Sequence, residues 1–366
     1  MRRSLFARLI LLPFLLCTGL ALADGNRAPP GISVSDLHQA LAAIPPLPSP
    51  VNMTFCVFDL AGNNGDIANM ARDLALDARR WNLIVDVHVY TDERIEAEDL
   101  KAGQCDGAAM STLRAKQFNH ITGSIDAPGN LRNYGEVKTL LKLLSNPNYS
   151  ALGISGRYQV VGIVPIGSVF VMVNDRQINS IEKAAGKRVV VLDWDKSESE
   201  MISAMGAQPV PADLTSFAGK FNNGQADIIA APAMAYRPLE LYKGIGSKGG
   251  IIRFPLLQAT GTLILRRDLM LPKIPDLDVR IRQLQQFGLQ HIDQIVTLFT
   301  RAEADLPENL WINLSKEDTE RYEHMLREAR IRMTKDGTYD ATMMNILKRV
   351  RCHHEPAAAE CTMYDE

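Results

Sequence analysis

An excess of charge of either sign is missing from this chain: 40 Lys plus Arg face 42 Asp plus Glu, a formal net charge of −2. That balance excludes the basic footprint of a nucleic-acid binder, so no nucleic acid is expected as a partner. Long apolar runs are scarce too. The most apolar internal stretch, Val160 to Val173, is broken by Pro165 and Gly167 and is shorter than the roughly 20 residues of a spanning helix. It reads as a long buried strand. Catalytic motifs are also absent. Neither Gly-x-Ser-x-Gly nor His-Glu-x-x-His occurs, and of the seven histidines only His353 and His354 are adjacent; a hydrolase site would need a nucleophile with its base, or paired metal ligands. His88, His291 and His324 fall in strand or helix patterns and read as structural. The run Ile245 to Gly250 is glycine-rich but lacks Walker spacing, so a mobile connection is the better reading. No enzyme activity and no cofactor are expected. What is present, 46% apolar and 22% charged residues, describes a folded chain.

The beginning has a meaning of its own. Met1-Arg2-Arg3-Ser4 leads into an apolar run from Leu9 to Leu16 that ends at Ala21-Leu22-Ala23, the pattern of a secretory signal peptide cut after Ala23. Removing Arg2, Arg3 and Arg8 leaves 40 − 3 = 37 basic against 42 acidic residues, a mature net charge of −5. A periplasmic location follows as the expectation. Cys17 leaves with the signal, so Cys56, Cys105, Cys352 and Cys361 remain. An even number in an exported chain predicts two disulfides out of three connectivities. Cys352 with Cys361 and Cys56 with Cys105 are favoured, the second pair joining two strands. Cys352-His353-His354 lacks the spacing of a zinc site, and no metal is expected.

Residues 24–50 form a proline-rich segment in which Ser35 to Ile44 has the pattern of a short helix. From Met53 onward strands and helices alternate. Met53 to Phe58, Leu83 to Tyr90 and Cys105 to Met110 read as strands; Ile67, Met70, Leu74, Ala78 and Trp81 recur at helical spacing, and Ile95 to Ala102 continues as helix. The alternation implies parallel βαβ units. The chain then repeats itself: Arg188 to Leu192 and Asp227 to Ala231 are strands, Glu198 to Met205 and Leu214 to Asn222 helices. Leu100-Lys101-Ala102-Gly103-Gln104-Cys105-Asp106 parallels Phe221-Asn222-Asn223-Gly224-Gln225-Ala226-Asp227, each a helix end, a glycine suited to the left-handed C′ position and an Asp before a strand. Phe58-Asp59-Leu60 likewise parallels Leu192-Asp193-Trp194. Two similarly built α/β lobes are predicted, joined by two long strands, Gln159 to Val173 and Leu256 to Arg266, that act as a hinge. Beyond Asp276 the pattern is helical, with one amphipathic helix from Val279 to Leu298, another from Lys316 to Met333 and a third from Ala341 to Val350. The expected division is 1–23 signal peptide, 24–50 proline-rich segment, 51–158 with 256–300 as lobe one, 159–255 as lobe two with hinge strands, and 301–366 as a C-terminal helical segment.

Ligands of open parallel sheets bind at the carboxyl ends of the strands. Those ends carry Asp59 and Asn63 in lobe one, Ser111 after the third strand, and Asp193, Trp194 and Asp195 in lobe two. Ser168 on the first hinge strand and Tyr236 beyond Pro232 complete the candidate ligand-binding set. Each acid has a plainer use as a helix cap.

Three stretches carry a family resemblance: Ile181-Glu182-Lys183-Ala184-Ala185-Gly186-Lys187-Arg188-Val189, then Gly206-Ala207-Gln208-Pro209-Val210-Pro211, then Phe221 to Asp227. In order and spacing they resemble the central signature of the solute receptors of TRAP (tripartite ATP-independent periplasmic) transporters, with weaker similarity from Thr54 to Pro272. The resemblance implies a type II periplasmic-binding-protein fold, a ligand cleft between two lobes, and delivery of a small-molecule solute to the membrane permease subunits of such a transporter. The departure from the family pattern is specific. Val191 stands where members that bind organic acids carry an arginine, and Ala231 where they carry an asparagine, while Asp193 and Asp195 add negative charge nearby. Loss of the guanidinium fork removes a bidentate carboxylate clamp. The expectation is therefore a cationic or uncharged solute, with a cationic part lying on Trp194, and Arg188 is the residue that could replace the lost clamp. The rival expectation is an envelope interaction or sensor protein that reuses the same fold without transport.

Overall fold

The computed structural model describes residues 44–366. The expected signal peptide, its cleavage site, residues 24–43 of the proline-rich segment and all but the last residue of its expected short helix lie outside the described residues.

Ten strands form one mixed sheet: β1 (Val51–Phe58), β2 (Leu83–Tyr90), β3 (Gly107–Ser111), β4 (Ile154–Ser155), β5 (Tyr158–Val173), β6 (Arg188–Leu192), β7 (Gln208–Ala212), β8 (Ile228–Pro232), β9 (Gly250–Arg266) and β10 (Trp311–Ile312). Their order is β2-β1-β3-β9-β5-β8-β6-β7, with β4 on β5 and β10 on β9. The longer helices are α1 (Asp66–Ala78), α2 (Glu93–Ala102), α3 (Tyr134–Leu144), α4 (Lys196–Ala204), α5 (Leu214–Asn222), α6 (Leu277–Gln290), α7 (Ile292–Ala304), α8 (Lys316–Lys335) and α9 (Ala341–His354).

The order makes the two halves counterparts. β1 sits between β2 and β3 in parallel, as β6 sits between β7 and β8. Local chemistry repeats with it. The Asp106 carboxylate accepts from the Thr54 amide at 2.9 Å, and the Asp227 carboxylate accepts from the Arg188 amide at 3.0 Å, each tying the loop before one strand to the neighbouring strand. Asp59 and Asp193 each donate a backbone N–H to the adjoining strand, at Tyr90 and Ala212. Gly103 (φ +80°) and Gly224 (φ +69°) take the left-handed conformation expected of them.

β5 and β9 run through both halves as one antiparallel pair, from Tyr158 opposite Arg266 to Val173 opposite Gly250. Register breaks around Gly162 and Gly167 bend the pair near its middle. β9 starts at Gly250, six residues ahead of the strand expected from the sequence, so the glycine-rich run leads directly into the sheet. β7 is a strand despite Pro209 and Pro211 because it is the sheet's edge, where a missing N–H is tolerated.

Two helical expectations are corrected. The face of α1 that packs on the sheet is the small one, with Ala68 and Ala78 buried; Ile67, Met70 and Leu74 are exposed. The expected single helix from Val279 to Leu298 is two, α6 and α7, broken at His291. There the His291 ring sits 4.3 Å from that of Phe287, and Nδ1 lies 3.0 Å from the Phe287 carbonyl oxygen.

Cys56 pairs with Cys105 and Cys352 with Cys361. The first bridge ties β1 to the loop before β3 inside the core; the second staples the last turn of α9 to the tail. That tail is anchored by charge. The Glu366 carboxylate, fully buried, receives Arg330 Nε at 2.8 Å and an Arg351 terminal nitrogen at 2.9 Å. Arg351 also reaches Asn130 Oδ1 at 2.6 Å. α8 and α9 thereby close over α3, in a core cluster that joins Val137 and Leu140 to Met333, Leu347 and Val191 of the second half.

Candidate ligand cleft

The loops after β1, β3, β6 and β8 all leave the sheet at the carboxyl ends of their strands, the end at which open α/β sheets bind ligands. Two of them meet across the halves. After β3, Ser111 caps the turn Thr112–Ala115 by accepting from the Arg114 amide at 3.2 Å. This turn carries Arg114 and, one residue beyond it, Lys116. After β6, Asp193-Trp194-Asp195 precede α4, and Asp195 caps that helix by accepting from the Ser197 amide at 3.0 Å and the Glu198 amide at 3.3 Å. The Arg114 guanidinium carbon lies 4.0 Å from the Trp194 ring centroid, and Lys116 Nζ lies 4.5 Å from the ring of Tyr339, the C-terminal segment's contribution to the seam. Lys116 also feels Asp195. Cations of the first half thus face Trp194 and the acids of the second half and Tyr339 of the C-terminal segment.

Behind Arg114 stands an acidic floor. Glu93, at the start of α2, accepts from the Ser111 amide at 2.6 Å and the Ser111 hydroxyl at 2.9 Å, and its Oε2 lies 4.0 Å from Arg114 Nε. Burial raises the Glu93 pKa, while the Ser111 hydrogen bonds and Arg114 oppose the rise. Its neighbour Glu96 is pushed well above the carboxylate range by burial and by Glu93. Burial lowers the Arg114 and Lys116 pKa values, against the pull of Glu93 on the first and of Asp195 on the second.

Beneath the seam, at the bend of the hinge strands, lies a buried hydroxyl chain. Thr260 Oγ1 donates to Asp126 Oδ1 at 2.6 Å or to Thr112 Oγ1 at 2.8 Å, and Thr112 Oγ1 is 2.7 Å from Thr262 Oγ1. Asp126 also accepts from the Thr260 amide at 2.9 Å. Total burial raises its pKa to about 7, more than the two Thr260 hydrogen bonds lower it.

The sequence-derived candidates separate by position. Trp194, Asp193, Asp195 and Ser111 come together at the seam. Ser168 lies on the hinge, where its hydroxyl accepts from Gln258 at 2.9 Å and its amide donates to Glu303 at 3.2 Å. Asp59 is occupied by its own turn, accepting from the Ala61 amide at 2.9 Å and the Ala68 amide at 3.0 Å; a Cβ on Gly65 would come within 2.0 Å of its Oδ2. Asn63 is exposed and holds Arg72 through side chain and carbonyl, both at 2.7 Å. Tyr236 is buried in the second half's core against Tyr242. Arg188 stands at the opposite end of β6, where its guanidinium grips Asp227 at 2.7 and 3.0 Å.

Sequence reasoning missed Arg114, Lys116, Glu93, Asp126 and Thr260. Arg114 had a usable signal: it follows by three residues a strand end already placed at the ligand-binding edge. Asp126 and Tyr339 come from segments whose position no local pattern discloses. One expectation changes with this geometry. The open face of Trp194, expected to receive a cationic part of the solute, is covered by Arg114, because a guanidinium stacks flat on an indole.

Comparison with known proteins agrees with this architecture. Residues 68–366 match the family described as solute-binding protein AdeT 1/2. The chain is 40% identical over 310 residues to the probable solute-binding protein AdeT1 of Acinetobacter baumannii, covering 85% of this chain and all of the relative. It is 27% identical over 241 residues to the probable solute-binding protein AdeT2 of the same organism, covering 66% of this chain and 99% of the relative. In fold it is similar to a TRAP periplasmic solute-binding protein from Ralstonia eutropha H16 solved with bound (S)-2-acetolactate (TM-score 0.68, 13% identity, 82% of this chain and 99% of that one). A similar likeness holds to the periplasmic ectoine-binding protein of Halomonas elongata (TM-score 0.64, 14% identity, 82% and 99%). The two-lobed α/β fold is that of the TRAP receptors, and the chain belongs to the AdeT 1/2 family of solute-binding proteins.

Proposed function

We propose that this protein is exported through its N-terminal signal, captures a small solute between the two halves of its sheet in the periplasm, and hands it to the membrane subunits of a TRAP-type transporter. The observation that carries this reading is the seam itself. Loops from the ligand-binding ends of both half-sheets meet there through Arg114 on Trp194, with Asp195 acting electrostatically on Lys116, directly above the bent strand pair that joins the halves. A solute touching both loops would favour the closed arrangement, the usual device of hinge-type binding proteins. Ser111, Asp193, Trp194 and Asp195 are the solute-facing residues of this reading; Ser168 serves the hinge. Membership of a solute-binding family supports it, as do the acetolactate bound to one TRAP protein that shares the fold and the ectoine-binding character of another. The test is a thermal-shift screen of the mature protein against a metabolite library, since a ligand bound only by the native state raises the melting temperature. One compound class that raises it in a saturable way supports capture. A silent screen, together with co-purification of an envelope protein at one-to-one ratio, would favour the interaction or sensor role instead.

A further inference from the structure

Arg114 is 12% exposed, yet its guanidinium donates no hydrogen bond among the described residues. Its nearest carboxylate oxygen, on Glu93, is 4.0 Å from Nε, too far for a hydrogen bond, and both Glu93 oxygens are already taken by Ser111. Arg114 Nε is buried and unpartnered, and so is the indole Nε1 of Trp194, the residue on which the guanidinium is stacked. A guanidinium whose Nε is buried with no acceptor among the described residues departs from the usual satisfaction of buried polar groups. Stacking accounts for its face only. The N–H groups lie in the plane of the guanidinium and remain free to bind an acceptor while the face rests on the indole. The two halves thus each bring an unsatisfied donor to one seam.

Resting on the reading of this seam as the solute site, we propose that Arg114 anchors the solute, in place of the strand arginine whose position is held by Val191. The solute it takes carries one oxyanion, a carboxylate above all, balanced by a cationic group on the same molecule. The oxyanion would accept from the free edge of Arg114 and from Trp194 Nε1. The balance follows from the charges around it. Glu93, Asp92 and Asp193 act on Arg114 as negative neighbours and Arg94 as a positive one, while Lys116 and Asp195 offset each other. A dianion would set its second charge against Asp193 or the Glu93 floor. A simple cation would have to displace Arg114 from Trp194 and leave the guanidinium unpaired. A zwitterion meets neither obstacle, with its ammonium directed to the exposed Asp193.

The test uses the mature full-length protein and four probes of defined charge: an ω-amino acid series (β-alanine to 5-aminovalerate), acetate, succinate and choline. Binding is followed by calorimetry and by indole fluorescence. At least one amino acid of the series should bind more tightly than acetate, succinate or choline. Arg114→Gln should weaken it about 10- to 100-fold, the worth of a charge-assisted hydrogen bond. Trp194→Phe, which keeps a ring and removes Nε1–H, should weaken it by a smaller factor, and Arg188→Gln should leave it unchanged. Arg114→Lys, which keeps the charge and loses the fork, guards against misfolding of the glutamine variant and should also weaken binding. Tighter binding of succinate or choline than of every amino acid, no amino-acid binding at all, or equal affinity in folded Arg114 variants would overturn the proposal. The metabolite screen distinguishes that failure from failure of the functional reading: a solute that binds the wild type and the Arg114 variants alike keeps the receptor and removes the anchor.

Discussion

Asp126 offers the sharpest physical test of the hinge. Its carboxyl is wholly buried and, among the described residues, accepts from the Thr260 amide and hydroxyl alone; burial raises its pKa to about 7 from the ordinary carboxylate value. A raised carboxylate pKa means that the folded chain holds the proton more tightly than the unfolded one. The stability it supplies is therefore complete below about pH 4, is lost as pH rises to about 7, and stays lost above that. A difference of about three pKa units amounts to about 4 kcal/mol. Asp126→Asn keeps an acceptor for the Thr260 amide, can donate to the Thr260 hydroxyl, and never charges. Glu198, also raised to about 7 by burial, gives the wild type a similar slope, but it is common to both proteins and cancels in the comparison. In urea unfolding, the advantage of Asp126→Asn over wild type should grow by about 2–3 kcal/mol between about pH 5 and about pH 8. Parallel curves over that range would refute the reasoning, since they would mean that ionising Asp126 costs the fold nothing.

Further outcomes follow from other contacts. Intact-mass measurement of the mature protein should find two disulfides and no free thiol; two reactive thiols under native oxidising conditions would contradict both bridges. Deleting Asp365 and Glu366 takes the Glu366 carboxylate from the buried Arg330 and Arg351 and leaves them to share Glu360; it should lower unfolding stability by about 1.5–3 kcal/mol, the worth of hydrogen bonds to a charged group, and a truncated protein of unchanged stability would show the tail to be dispensable. Arg188→Ala removes the surface pair with Asp227 and should leave solute affinity in calorimetry unaltered. Asp193→Ala should weaken affinity for a solute that carries an ammonium group, and equal losses in the two variants would argue against the seam as the site.

The alternating part of this fold was legible because each element there obeys a local rule. β2, β6 and α5 fall where apolar periodicity put them, and Gly103 and Gly224 stop their helices as a left-handed C′ residue should. The sequence was misleading where two rules compete. On α1 the large apolar side chains suggested the packing face, but close approach to the sheet selects the alanines. From Val279 to Leu298 one periodicity spans two helices, because it carries no mark of the break that the His291 contact with Phe287 makes. At the proposed cleft, Asp193, Trp194 and Asp195 could be named as candidates because the end of a strand is a local feature. No local pattern gave a view of the pairing with Arg114, which depends on how two half-sheets about 80 residues apart along the chain are set against each other.

The correspondence between the halves explains why the arginine sits where it does. β3 and β8 are counterparts, each beside the central strand of its own half and each next to a hinge strand. Three residues beyond Ser111 is Arg114; three residues beyond Pro232 is Ala235, which packs against the second half's apolar core. A cation at both places would put two guanidinium groups at one seam with few acids to balance them. With the cation on one loop only, the other half can offer Trp194 as a flat partner, and Asp193 and Asp195 as counter-charges, without a second buried arginine to desolvate. With Arg114 as the anchor in lobe one, lobe two needs no strand arginine at Val191. Placing an arginine at Val191 should then not add affinity. Val191 is fully buried, and it packs in the cluster that joins the second half to α3 and the C-terminal helices. Val191→Arg should therefore cost stability outright, by several kcal/mol for an unpaired buried charge. A folded Val191→Arg protein that binds succinate more tightly than wild type would show that the family's ordinary clamp still fits this cleft.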